Sequence, residues 1–357
     1  MTRRCSVAAP GKLYIAGEYA VLAPGGAAVL IALDRFVTVH ARANDREEIT
    51  VTSDHTGGSP VLLDAPSTAL PYVSAAADAV RQYARETGRG PIGADIEIVS
   101  ELDDPETGTK YGLGSSGAVT AGVVQALAAL HPDGLSRDTQ LKLALLAVFA
   151  ADPRGSGGDV ATSLLNSRSD ASPHWPTGWV EYRSPDREQL TRWRESVGIA
   201  ETVDREWPGF TAAPLPAPRG REVAVGWTGR PASSTELVRS LRSAVSPARF
   251  AEFGRRSDAC VQRLVDALRG DVRADVDTAV TEAGRLLREI GDDAGVPIET
   301  PPLTRLRTVA ESLGAVAKTS GAGGGDCGIA LVDPAVRADL HRRWRDADVT
   351  PLDLHVL

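Results

Sequence analysis

Lysine is the scarcest charge in this chain. Only positions 12, 110, 142 and 318 carry it, so of the 39 basic residues 35 are arginine. Cysteine is equally thin: Cys5, Cys260 and Cys327 have no CxxC spacing and form no even-numbered framework. That excludes a disulfide scaffold and points to a reducing compartment. No run approaches the roughly 18 apolar residues of a membrane helix, and Met1–Cys5 leads into Pro10-Gly11 rather than an apolar leader. A soluble, cytoplasmic protein with no membrane partner is therefore expected. A basic surplus is also lacking. The net charge of −8 argues against nucleic acid as a partner, yet a local basic pocket for a phosphorylated small molecule survives in an acidic protein.

What is present is ordinary globular material, 42% apolar and 24% charged, in 357 residues, enough for two domains. Residues 5–9 and 27–41 read as strands separated by the Pro24-Gly25-Gly26 turn, and 96–100 as another. Helical spacing of apolar residues covers 72–86, and an alanine-rich apolar helix spans Ser115 to Leu130, followed by one over 139–151. The polar stretch Asn166 to Pro176 reads as a surface loop. Four prolines in 207–221 mark the best domain boundary, and we divide the chain at 1–210 and 211–357. The second part reads as a strand over 222–227, helices over 246–268, 276–290 and 303–313, a strand over 327–331 and a helix over 334–345. The alternation is not a regular βαβ repeat, so the class expected is α+β.

Two glycine-rich loops carry the chemistry, each with a lysine beside it. They are Lys110-Tyr111-Gly112-Leu113-Gly114-Ser115-Ser116-Gly117-Ala118 and Lys318-Thr319-Ser320-Gly321-Ala322-Gly323-Gly324-Gly325-Asp326. Such loops bring backbone N–H groups close to an anion. The first formally matches GxGxxG, but Asp103 to Thr109 before it cannot be a buried strand, and no Gly-Lys-Ser/Thr closes a Walker loop. What remains is a Gly/Ser loop at the start of a long helix, whose free N–H groups suit a triphosphate. Ser115 and Ser116 add hydroxyls for phosphate or Mg²⁺. Lys12, in Ala9-Pro10-Gly11-Lys12-Leu13, supplies a compact ammonium. Asp159, in Gly155-Ser156-Gly157-Gly158-Asp159, supplies a carboxylate that can orient an attacking oxygen.

Pro10 to Leu22, Gly112 to Ala118 and Lys318 to Cys327 resemble the three motifs of the GHMP kinase superfamily across nearly the whole chain. Asp34-Arg35-Phe36-Val37-Thr38-Val39, Lys110-Tyr111-Gly112, Gly157 to Ala161 and Val225-Gly226-Trp227-Thr228-Gly229 resemble its bacterial-type phosphomevalonate kinase branch. The resemblance implies a two-domain fold. An N-terminal ribosomal-protein-S5-like nucleotide-binding domain would precede a C-terminal ferredoxin-like α/β sandwich. It implies ATP and Mg²⁺ as cofactors and conversion of 5-phosphomevalonate to 5-diphosphomevalonate. Another small-molecule kinase of the superfamily, such as mevalonate kinase, and a non-catalytic ligand-binding relative are the alternatives. Lys12 and Asp159 would be the catalytic pair. Lys110, Gly112, Leu113, Gly114, Ser115, Ser116, Gly117 and Ala118 would hold ATP, with Ser116 on Mg²⁺. Lys12, Tyr19, Lys110, Ser156, Gly157, Asp159, Ser320, Gly321, Ala322 and Gly323 would line the acceptor pocket, in a monomer or homodimer. This chain departs from the pattern at Ala151-Asp152-Pro153-Arg154, in the inserted Asn166 to Thr177, and at Thr319.

Overall fold

The computed structural model describes residues 3–63, 70–170 and 177–357. β1 (Arg4–Ala16) and β2 (Ala27–Ala43) form a long antiparallel hairpin, the spine of the first sheet. Along the chain follow β3 (Ile49–Ser53), β4 (Val61–Leu62), helix α1 (Pro71–Glu86) and β5 (Ala94–Ser100). Next come α2 (Ser115–Leu130), α3 (Arg137–Ala151), α4 (Gly158–Asn166), β6 (Arg168–Ser169), β7 (Trp179–Arg183), α5 (Arg187–Asp204) and β8 (Thr211–Leu215). Among the described residues the sheet order is β4-β3-β5-β2-β1-β6, with β7 on β2 and β8 on β7. α2 is apolar nearly all round because α1, α3, α4 and the sheet enclose it.

β1 runs seven residues past Ala9, where the sequence reading ends it. Pro10 has no N–H for the ladder, and the pairing absorbs it by a register shift between Pro10 and Lys12. β2 likewise continues unbroken through Asp34 and Arg35. Its edge away from β1 has three successive neighbours. β7 pairs residues 27–31, residues 355–357 pair Ala32 to Asp34, and β5 pairs residues 37–43.

The second unit opens with β9 (Glu222–Trp227) and helices α6 (Ser234–Ala244), α7 (Pro247–Gly270), α8 (Arg273–Ala294) and α9 (Pro301–Glu311). It closes with β10 (Val316–Thr319), β11 (Cys327–Val332), α10 (Arg337–Asp346) and β12 (Thr350–Leu352). An antiparallel sheet of order β10-β11-β9-β12 packs Leu306, Leu340 and Trp344 into its own core. Because β8 belongs to the first sheet, the change of sheet falls between Leu215 and Glu222. That lies inside the proline-rich segment but beyond the 210/211 division. The expected loop at 166–176 is partly regular structure. Asn166 ends α4 and Arg168–Ser169 pairs with β1, while residues 171–176 lie outside the described residues.

Candidate active site

One cleft between the two units gathers most of the residues singled out from sequence. It has a volume of about 930 Å³ and is lined by Lys12, Tyr19, Lys110, Gly112 to Ser116, Ser156, Asp159, Gly321 and Ala322. The N-terminus of α2 opens into it. Gly114 is the N-cap, with φ of 81°, and no side chain caps the helix, so the first N–H groups are left for a ligand. A Cβ on Gly114 would sit 2.7 Å from Lys12 Cε, and one on Gly117 would sit 2.8 Å from Asp159 Cγ. Lysine stem and aspartate carboxyl thus flank the open end of α2, one helical turn apart. Gly117 and Ala118 serve this packing from below and are buried.

Lys12 is 9% exposed, its backbone N–H bonded to Leu113 O at 2.8 Å and its ammonium 5.2 Å from the centre of the Tyr14 ring. Asp159 lies in the first turn of α4, where Oδ1 accepts the N–H of Val160 at 2.9 Å. Gly157 is the N-cap of α4, again without a side-chain cap. Ser156 is held at three points. Its Oγ meets Tyr14 Oη at 2.8 Å and accepts Gly158 N–H at 3.2 Å, and its carbonyl accepts the Tyr182 hydroxyl at 2.6 Å. Burial, aided by the nearby charge of Asp159, pushes the Tyr14 phenol well up, so it stays a neutral partner. Ser116 faces the cleft.

Lys318 departs from the sequence reading. It sits on β10, completely buried, with Nζ 2.5 Å from Glu18 Oε1 and donating to Thr319 O at 2.6 Å. A lysine so engaged has no face left for a phosphate. The third loop instead ties the two units together. Ser320 Oγ accepts Tyr14 N–H at 3.0 Å and donates to Tyr14 O at 2.9 Å, so its hydroxyl is spent on β1. Tyr19 Oη donates to Ala322 O at 2.6 Å. Of this loop only Gly321, Ala322 and Asp326 reach the cleft, and Gly323 packs on Ile298 O.

Asp326, the last residue of the second glycine-rich motif, also reaches the cleft, with no sequence signal of its own. Its carboxyl fills the space a Cβ on Gly112 would need, with Cγ 2.5 Å from that position, and Oδ1 accepts Ala232 N–H at 3.1 Å. Burial raises its pKa, opposed by that N–H and by the charge of Lys12. Cys327 Sγ donates to Tyr111 O at 3.2 Å, and the Tyr111 ring meets Trp227 edge-on at 5.1 Å. The first glycine loop is thereby seated on the second unit.

The cleft is basic in an acidic chain. Lys12, Lys110, Arg154, Arg187, Arg239 and Arg242 face Glu18, Asp103, Asp152, Asp159 and Asp326. Glu18 is already matched by Lys318, which leaves six cations against four carboxylates. Among the described residues Arg154 has only a 3.8 Å contact to Asp152, and the other five have no ion pair. Several arginines elsewhere are paired, as in Arg221–Asp277 and Arg307–Glu299. Arg35 stacks on the Tyr111 ring at 5.2 Å and is not among the lining residues. Arg187, Arg239 and Arg242 had no sequence signal, since arginine is everywhere in this chain.

The description "GHMP kinases N terminal domain" matches residues 71–167 and "GHMP kinases C terminal" matches residues 274–349. A phosphomevalonate kinase from Streptomyces sp. (strain CL190) is 38% identical over 373 aligned positions, covering 97% of this chain and 95% of that protein. Phosphomevalonate kinase from Streptococcus pneumoniae, solved with phosphomevalonate and AMPPNP, superposes with a TM-score of 0.84 at 28% identity over all of both chains. The Lin0012 protein from Listeria innocua gives 0.90 at 29% identity, covering 99% of this chain and 98% of that one. The chain belongs to the GHMP kinase superfamily and, within it, to the phosphomevalonate kinase family.

Proposed function

We propose that this chain transfers the γ-phosphoryl group of ATP to 5-phosphomevalonate, giving 5-diphosphomevalonate. One observation carries the reading: Lys12 and Asp159 flank an uncapped helix N-terminus in a cleft whose cations, Arg154 apart, have no ion pair among the described residues. The triphosphate lies over Gly112 to Ala118, where N–H groups and the helix dipole meet its charge. The attacking atom is a phosphate oxygen that is already anionic, so Asp159 orients more than it deprotonates. Lys12 neutralises charge on the phosphoryl group in flight. Lys110, Tyr19, Ser156 and the Gly321-Ala322 backbone border the acceptor, while Ser320 and Gly157 act from behind by holding Tyr14 and α4.

Mg²⁺ fits this donor set as a companion of ATP rather than a resident ion. No group of three His, Cys, Asp or Glu suited to a metal occurs among the described residues. Mg²⁺ needs only one or two protein oxygens when phosphates supply the rest. Ser116 Oγ and the cleft carboxylates Asp152 and Asp159 can provide those. When bound, the ion neutralises phosphate charge. The enzyme is read as cytoplasmic, monomeric or homodimeric; its three cysteines are free, and among the described residues no helix is long and apolar enough to cross a membrane. The test is ADP release with a panel of acceptors: phosphomevalonate, mevalonate, galactose and homoserine. Phosphomevalonate should be fastest. A faster reaction with mevalonate or a sugar would overturn the acceptor and leave the kinase.

A further inference from the structure

Arg187 and Arg242 approach the cleft from the two units. Arg187 is the first residue of α5 and Arg242 belongs to the last turn of α6. Arg187 is half-buried, with its guanidinium bonded to Gly155 O and Leu22 O and resting 5.9 Å from the Phe149 ring. Both partners are neutral carbonyls, so they fix the direction of the fork without cancelling its charge. Arg242 rests 4.7 Å from the Phe250 ring and has no hydrogen bond or ion pair among the described residues. An aromatic platform therefore orients each cation, and neither has an ion pair among the described residues.

The two charges also act on each other. Burial lowers the pKa of Arg187 most and the Arg242 charge lowers it further, opposed by Tyr182, Asp152 and Asp186. Two like charges lining one cleft are relieved when an anion enters between them. The triphosphate already has the uncapped α2 terminus, so the anion between the two arginines is the acceptor's. Arg187 braces the Gly155-Ser156 backbone that leads into Asp159, so it stands on the acceptor side. The acceptor's phosphate is met by Lys12 and Lys110, with Asp159 orienting its attacking oxygen, and its remaining anion is a carboxylate. A planar fork matches a carboxylate's two oxygens.

We propose that Arg187 and Arg242 form a clamp, one jaw from each unit, for the terminal carboxylate of the acceptor. The clamp rests on the reading of this cleft as a phosphomevalonate kinase site. It adds a second role: the carboxylate bridges the units, so acceptor binding draws α6 toward α5.

The test combines an exposed jaw with a changed ligand. Arg242→Ala removes a surface side chain and does not endanger the fold. Arg187→Lys keeps the charge but loses the fork. Each is assayed with phosphomevalonate and with its primary amide, in which the carboxylate is neutral. Losing a charge-assisted hydrogen bond predicts an acceptor KM raised by about 10- to 100-fold in Arg242→Ala. The KM for ATP should stay within about twofold. The amide should cost the unaltered protein a similar factor and cost Arg242→Ala little more, because the partner is already gone. The clamp is overturned if Arg242→Ala leaves the acceptor KM unchanged, if the ATP KM rises instead, or if amide and variant penalties simply multiply. If the unaltered protein turns over phosphomevalonate and Arg242→Ala matches it, the clamp alone falls. If the unaltered protein does not turn it over, the kinase assignment falls with it.

Discussion

Replacing Lys318 by methionine separates the structural from the sequence-based view of the third motif. In the structure Lys318 is fully buried, 2.5 Å from Glu18, whose side chain is 3% exposed. Lys318→Met keeps the volume of the stem but strands the Glu18 carboxylate in a site water hardly reaches. Removing one partner of a buried pair costs about 3–5 kcal/mol. At about 2–4 °C per kcal/mol for a domain of this size, the melting midpoint should fall by about 6–20 °C. Glu18→Gln combined with Lys318→Met removes both charges and should recover more than half of that loss, a coupling that scanning calorimetry reads directly. The reasoning fails if Lys318→Met costs less than about 1 kcal/mol, the value of an exposed pair. It also fails if the variant melts normally and has lost turnover, because the lysine would then be serving phosphates.

Asp159→Asn keeps shape and loses charge, so turnover should drop by about 100-fold or more while ATP still binds by calorimetry; near-normal turnover removes Asp159 from the mechanism. Lys12→Ala should lower kcat more than ATP affinity, and Lys12→Arg should not rescue it, because a planar fork cannot replace an ammonium beside Gly114. Gly117→Ala puts a methyl 2.8 Å from Asp159 Cγ and should cut kcat with little loss of ATP affinity; unchanged kcat would show that α4 yields freely. Lys110→Ala should penalise phosphomevalonate by about 1.5–3 kcal/mol in kcat/KM and spare mevalonate, and an equal loss on both would sever Lys110 from the phosphate.

The motifs were legible where chemistry and local structure coincide. Ser115 to Leu130 announces itself through a Gly/Ser start and an unbroken apolar run, and the structure has α2 over those residues. α5 and α6 stayed hidden because little of either is buried; α6 buries only Leu241. A polar helix on a surface leaves hardly any 3.6-residue signal. The role of Lys318 was illegible for a different reason. Its partner is 300 residues away, and a lysine beside glycines looks the same whether it faces phosphate or a buried glutamate. Arg187 and Arg242 are lost among 35 arginines, and only the shape of the cleft separates them from those paired on the surface.

The edge of β2 left between β7 and β5 is filled by residues 355–357, with Asp34 N–H bonded to His355 O at 3.0 Å and Leu357 N–H to Ala32 O at 3.2 Å. A growing chain therefore emerges with its first hairpin made early and one stretch of that hairpin's ladder unpaired until more than 300 further residues have been synthesised. Contacts of such separation form late, after loop closure has been overcome. Until then Leu33 and Asp34, beyond the Ala32 N–H bonded to Gly178 O, present an open strand edge, the kind of surface that recruits another chain. Between synthesis of β2 and arrival of residues 355–357, that edge is open to pairing with another chain.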